Sequence, residues 1–307
     1  MTDQPIRPGK RVSMFDEIAS NKRKSIILML LMAAVLMALV LAISYAFAPE
    51  YAVIILLFAG IFVIVNTLVS YKYGGRIALA SVGAYPADEK KHIYLINTVE
   101  GLAIAAGIPK PKCYVIPSKE LNAFACGKDP EHASIAVTEG LMQATNRQEL
   151  EGVVAHEMSH IRNYDIRFAT LISVLVGMAA IISYMFLRSM LFTGGGRGRG
   201  RGGGGHALIL IIAIILAIVA PLVVRLVQLA VSRKREYLAD ASGAQLTRYP
   251  DGLASALEKI AKYNRGEMKV SEAVSHMFFS DPTHSALDAV WSTHPPIQER
   301  IKRLRAM

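Results

Sequence analysis

Four stretches of this chain are long, apolar and nearly free of charge: residues 25–47, 51–70, 168–192 and 207–231. About 20 apolar residues rising 1.5 Å each cross the hydrocarbon core of a bilayer, so each stretch is long enough to span one. Residues 25–47 exceed the short apolar core of a secretory signal, and the pattern predicts a retained helix. Ala48-Pro49-Glu50 turns the chain between the first two stretches. Arg7, Lys10, Arg11, Lys22, Arg23 and Lys24 precede that pair, and Lys72 and Arg76 follow it. Basic residues on both outer flanks place the N-terminus, and everything after Tyr71, on the cytoplasmic side.

The second pair is interrupted by Arg188, Pro221 and Arg225. A glycine- and arginine-rich linker at 193–206 joins it and cannot build a packed core. Arg197, Arg199 and Arg201 would lie on the outer side of a full hairpin, against the usual charge preference. A complete hairpin with an atypical loop is the favoured reading, with a partly embedded pair as the alternative.

The polar remainder is a basic N-terminus at 1–24 and two blocks, 71–165 and 232–307. The blocks total about 170 residues, the size of one ordinary domain split by the second apolar pair (166–192 and 207–231). In the first block, 88–107 reads as an amphipathic helix closed by Gly107 and Pro109. Residues 112–117, 121–126 and 133–137 read as strands, with Gly127-Lys128-Asp129-Pro130 turning between the last two. Asn146 with Glu149 three residues later is a capping-box variant that starts a helix. No clear stop separates that helix from the apolar run at 168. In the second block, 251–264 carries Leu253, Leu257 and Ile260 at core spacing, and 297–305 forms a basic helix behind Pro295-Pro296. The expected fold is an α-helical membrane protein with about four transmembrane helices in two hairpins. Its soluble domain is mainly α (α+β), with a small sheet beside the capped helix.

Composition supports the membrane reading. With 53% hydrophobic residues and a mean hydropathy of +0.36, the chain is too apolar for a soluble domain of 307 residues. Lys and Arg outnumber Asp and Glu by 34 to 24, a net charge of +10 that suits an anionic membrane surface. The arginine-glycine linker is short and has no interleaved aromatics, so nucleic acid is not an expected partner. Cys113 and Cys126 are the only two cysteines, which is no disulfide framework and fits a reducing compartment.

The candidate chemistry sits on the capped helix, in His156-Glu157-Met158-Ser159-His160. Histidines at i and i+4 share one helical face and can close on one zinc ion, with the glutamate beside them as a base toward water. His160 is about eight residues from Phe168, or about 12 Å of helix, so the site is expected near the membrane surface. A catalytic zinc takes three protein ligands. Candidates for the third are Asp165, Glu236, Asp240, His276, His284 and His294. Asp165 lies about 140° around the same helix from His160 and is disfavoured. Glu236 follows the fourth apolar stretch as His160 precedes the third, so an antiparallel pair would bring them together. Glu236 is therefore preferred as ligand, with Asp240 one turn later bonding a ligand histidine.

Several motifs resemble, in the same order, those of the M48 membrane metalloproteases. They are His156-Glu157-x-x-His160 with Asn163 and Asp165, Glu236-x-x-x-Asp240, Asn122-Ala123-Phe124, and Thr293-His294-Pro295-Pro296 with Glu299-Arg300. Four apolar segments and this length resemble the bacterial heat-shock branch of that family, and only the glycine-arginine linker departs from it. The resemblance implies a zincin-like domain binding one Zn2+ per subunit through His156, His160 and Glu236. It also implies Glu157 as general base and later proton donor, Asp240 orienting a histidine, and His294 helping to stabilise the oxyanion. Asn122, Ala123 and Phe124 would form an edge strand that pairs with extended substrate. By the same resemblance the chain is a multi-pass protein of the bacterial inner membrane with a cytoplasmic protease domain. Its implied partners are the lipid bilayer and unfolded or misfolded proteins, cleaved in stress response and quality control.

Overall fold

The computed structural model describes scattered positions between 23 and 44, residues 49–174, Tyr184, Arg188, and residues 233–268, 270–282 and 295–307. Most of the first apolar stretch and of the third, the glycine-arginine linker, the fourth stretch, His284 and His294 lie outside the described residues.

Among the described residues one helix, α1 (Ala52–Ser81), is long and apolar enough to cross a membrane. Its 30 residues rise about 45 Å, more than a hydrocarbon core needs. The surplus is at its C-terminal end: the helix continues past the expected boundary at Ser70, through Lys72 and Arg76. Leu57, Phe58, Phe62, Ile64 and Leu68 are exposed, whereas Ala78 and Leu79 are buried beside Ile116, Phe124 and Phe278. Gly74 permits a close approach here, since a Cβ on it would stand 2.8 Å from Thr170 Cγ2. The C-terminal end of α1 thus packs into the core beside the sheet, which the hydrophobic pattern alone did not reveal.

Helix α2 (Ile93–Ala106) ends as expected on Gly107, left-handed at φ 68°. It begins five residues later than expected, because the Asp88 carboxylate accepts from the amides of Lys90 and Lys91 and shapes a turn first. Strands β1 (Tyr85–Pro86), β2 (Lys112–Ile116), β3 (Ala123–Cys126) and β4 (Ser134–Thr138) form one sheet in the order β1-β2-β4-β3. β2 and β4 are parallel; β1 with β2 and β3 with β4 are antiparallel. β1 has only two residues, one of them proline, and the sequence carried no strand signal for it.

Helix α3 (Glu139–Ala144) leads to α4 (Arg147–Arg162), whose capping box is formed in full: Asn146 caps the Glu149 amide and Glu149 returns to the Asn146 amide. Val153, Val154, Ala155, Met158 and Ile161 on α4 are completely buried. The expected continuous run into the third apolar stretch is corrected. α4 stops at Asn163, Tyr164 is left-handed at φ 60°, and a helical stretch begins again at 165–174.

Helices α5 (Arg233–Thr247), α6 (Pro250–Tyr263), α7 (Glu272–Ser275) and α8 (Ile297–Arg305) complete the described elements. Leu253, Leu257, Ile260 and Ile301 join Val153, Val154 and Ile135 in one core, so both polar blocks pack around α4. Gly243 lets α5 approach closely, since its Cβ would lie 3.0 Å from the His156 backbone nitrogen.

Candidate metal centre

His156 and His160 stand one turn apart on α4, with Nε2 atoms 3.1 Å apart. Glu236, in the first turn of α5, brings Oε2 to 3.7 Å from His156 Nε2 and Oε1 to 3.5 Å from His160 Nε2. One donor atom from each residue lies within 4.8 Å of the others. Tetrahedral zinc with bonds of about 2.0–2.1 Å separates its ligand atoms by about 3.3 Å, so the observed separations bracket the requirement.

The outer side of each imidazole is fixed by a carboxylate. Asp240 Oδ1 lies 2.9 Å from His156 Nδ1, and Asp165 Oδ2 lies 3.1 Å from His160 Nδ1. A carboxylate only accepts, so each ring carries its proton on Nδ1 when neutral, an assignment that follows from the partners. Both Nε2 lone pairs then face each other and the Glu236 carboxylate. Three acceptors with no donor among them require a cation, and the residues present therefore fit a metal ion.

The electrostatics agree. Burial pushes His156 down to about 4, against the pull of Asp240. Burial also opposes charge on His160, but Asp165 and Glu236 outweigh it and raise that ring to about 9. Glu157, nearly fully buried beside them, is raised to about 7, chiefly by burial, against the charge of His160 and the Ala125 backbone.

Behind each Asp stands a buried arginine. Arg300 grips Asp240 through Nε at 2.9 Å and Nη2 at 2.7 Å. Arg235 Nη1 approaches Asp165 Oδ1 at 3.5 Å and its guanidinium covers the Phe168 ring. Burial opposes charge on Asp240, yet Arg300 and His156 hold its pKa down at about 2. A small cleft opens on the site, lined by Ala125, Glu157, Glu236, His276 and Phe279 among others.

Residues 89–307 match the profile of Peptidase family M48. The chain is 45% identical to a protein named Protease HtpX homolog from Caldanaerobacter subterraneus subsp. tengcongensis, over 96% of this chain and 98% of that one. The chain belongs to the M48 peptidase family. An M48 relative of the same name from Streptococcus uberis is 40% identical, over 96% of this chain and its whole length. The crystal structure of S. mikatae Ste24p is similar at 22% identity and a TM-score of 0.48, over 94% of this chain and 66% of that one. As an M48 peptidase with HtpX homologues along its whole length, the chain is a metalloendopeptidase.

In this M48 chain the expected triad His156, His160 and Glu236 converges, with Glu157 beside it and Asp240 on His156. Asp165 does not ligate, yet it reaches the outer nitrogen of His160 because the helix breaks at Asn163–Tyr164; the 140° displacement holds only for a continuous helix. His276 lines the cleft and places Nε2 3.2 Å from the Ala169 carbonyl, outside the triad. β3 is an edge strand, as expected, but Asn122, Ala123 and Phe124 are fully buried. Asp165 and Arg300 stood among the motif residues of the resemblance without a supporting role, and Arg235 carried no local signal.

Proposed function

We propose that the chain is an integral-membrane zinc endopeptidase that cleaves unfolded or misfolded proteins, membrane proteins among them, at the cytoplasmic face of a bacterial inner membrane. The observation that carries the chemistry is the convergence of three acceptors, from α4 and α5, beside a buried glutamate. The observation that carries the location is α1, whose apolar length is exposed while its C-terminal end packs into the domain bearing the site. The basic flanks of the first apolar pair favour a cytoplasmic domain.

His156 and His160 would hold zinc through Nε2, and Glu236 through its carboxylate. When bound, zinc supplies a Lewis acid that polarises the scissile carbonyl and makes a water molecule acidic. Glu157, raised to about 7, sits where it can take a proton from that water and later return it to the leaving amine. Asp240 and Asp165 keep both rings in the ligating tautomer and Arg300 and Arg235 hold those carboxylates in place. β3, with Asn122, Ala123 and Phe124, offers its outer main-chain edge to an extended substrate without regard to side chains. His294 is proposed to assist at the oxyanion, on the resemblance alone.

Glu157→Gln tests this reading. The variant is expected to retain zinc and lose cleavage of an unfolded protein. Wild type and variant equally inert across metals and detergents would overturn it.

A further inference from the structure

β3 has two edges. The inner one is paired with β4, Ala123 opposite Val137 and Ala125 opposite Ile135. The outer edge, expected to receive substrate, already carries a short piece of the chain itself, residues 278–280, held by one isolated bridge and the bonds around it. Phe278 forms an antiparallel bridge with Phe124, and the Phe279 amide donates to the Ala123 carbonyl at 2.8 Å. The Asn122 side chain takes both main-chain groups of Ser280, accepting from its amide at 3.1 Å and donating to its carbonyl at 2.9 Å. These are main-chain contacts that ignore side-chain identity, the kind an extended peptide would make on the same edge.

The segment also crosses the metal centre. The Phe279 ring stands edge-on to His156 with centroids 4.8 Å apart, and Met277, Phe278 and Phe279 wall the cleft. Arg300 Nη1 donates to the Phe279 carbonyl at 3.1 Å while its other nitrogens hold Asp240. Phe278 anchors the segment by packing on Phe124 at 5.0 Å, in the core that includes Ala78 and Leu79 of α1. Against these contacts, the Ser280 hydroxyl is buried with no partner among the described residues, a cost carried by the docked segment.

We propose that residues 278–280 are a resident segment that a substrate must displace from β3, and that this competition makes the enzyme select long unfolded chains over short peptides. The proposal rests on β3 being the substrate edge. The Ala123 carbonyl and the Asn122 amide side chain cannot serve resident segment and substrate in the same geometry at once. A short peptide offers few main-chain bonds and cannot replace those lost. A long unfolded chain pairs along the whole edge and beyond it, and re-forms them. Docked, the segment would also cover the metal centre against unintended cleavage of small peptides.

The test compares kcat/KM for a carboxymethylated, permanently unfolded protein with that for a short peptide containing one of its mapped cleavage sites. Full-length zinc-loaded enzyme is used in detergent. Phe278→Ala, which removes the packing on Phe124 that anchors the segment, is expected to raise the short-peptide value about tenfold and move the long-chain value far less. An equal change in both values, or a fall for the short peptide, overturns the proposal.

Should Phe278→Ala fail to fold, amide exchange on full-length zinc-loaded Glu157→Gln decides the matter. Saturation with the unfolded protein is expected to strip protection from the Phe279 amide while β4 amides stay protected. Unchanged protection at Phe279 overturns the proposal. Wild type that cleaves nothing would overturn the protease reading instead, and the exchange measurement, which needs binding only, still decides the segment's role.

Discussion

Arg300 holds Asp240 at two points, Nε to Oδ2 at 2.9 Å and Nη2 to Oδ1 at 2.7 Å, in a region where both side chains are almost wholly buried. Removing one member of a buried pair leaves the other charge without compensation, typically at about 3–5 kcal/mol. Arg300→Met is therefore expected to destabilise the metal-free protein by that order, and to weaken zinc binding by releasing Asp240 from its place on His156. Arg300→Lys keeps the charge but not the two-point grip, and should fall between. Denaturant unfolding and chelator competition measure the two effects. Wild-type stability in Arg300→Met would remove the pair from any structural account.

Gly243 and Gly101 are both helical glycines, and they should respond oppositely to alanine. A Cβ on Gly243 would meet His156 N at 3.0 Å and His156 Cα at 3.2 Å, both backbone atoms that cannot swing away. A Cβ on Gly101 meets nothing within 4 Å. Gly243→Ala is expected to cost about 1–3 kcal/mol by overpacking, and to loosen zinc because α5 also carries Glu236. Gly101→Ala should stabilise by about 0.5–1 kcal/mol through helix propensity alone, with zinc affinity unchanged. Thermal unfolding and metal titration of the two variants check the contrast.

The local parts of this architecture were legible in the sequence. The capping box at Asn146, the left-handed end at Gly107 and the β3–β4 turn each depend on a few adjacent residues, and they stand within a residue or two of expectation. The grouping of His156, His160 and Glu236 was legible too: the two histidines share a helical face, and Glu236 was chosen from its place just after an apolar stretch. What was not legible depends on contacts between distant segments. Arg300 is 60 residues from its partner Asp240, and Phe278 pairs with Phe124 across most of the domain. The helix break after Arg162 was missed although Asn163 is a residue that ends helices, because the apolar run beginning at Phe168 masked that stop signal. Its consequence, Asp165 under His160, followed from that break.

Cys113 and Cys126 should be poor nucleophiles. Burial pushes the Cys126 thiol up to about 12 and the Cys113 thiol up to about 11. An ordinary thiol has a pKa of about 8.5, so at pH 8 the thiolate fractions are lower by about two orders of magnitude or more. Iodoacetamide at pH 8 is expected to label the folded protein at less than about one hundredth of the unfolded rate. Cys126, with no exposed surface, should be the slower of the two. Labelling of Cys126 at the unfolded rate would mean that β3 and the turn at Gly127 open readily.

Asp165→Asn and Asp240→Asn separate two jobs that a carboxylate does here. Either change replaces the acceptor behind His160 or His156 by a neutral amide, so on the proposed zinc site either is expected to lower zinc affinity about 10–100-fold. The consequences for folding should differ. Asp240 is bound tightly by Arg300 in the interior, and Asp240→Asn strands that guanidinium against Glu236, 4.0 Å away, as the nearest remaining carboxylate. Asp165 meets Arg235 at the longer distance of 3.5 Å, and that guanidinium also lies over the Phe168 ring. Asp240→Asn should thus lose both zinc affinity and metal-free stability, whereas Asp165→Asn should lose affinity with little change in stability. Parallel chelator competition and metal-free denaturant curves give the two numbers for each variant. Equal losses of stability would show that the Arg235 contact is as tight in solution as the Arg300 one, and unchanged zinc affinity in both would remove the carboxylates from the metal centre.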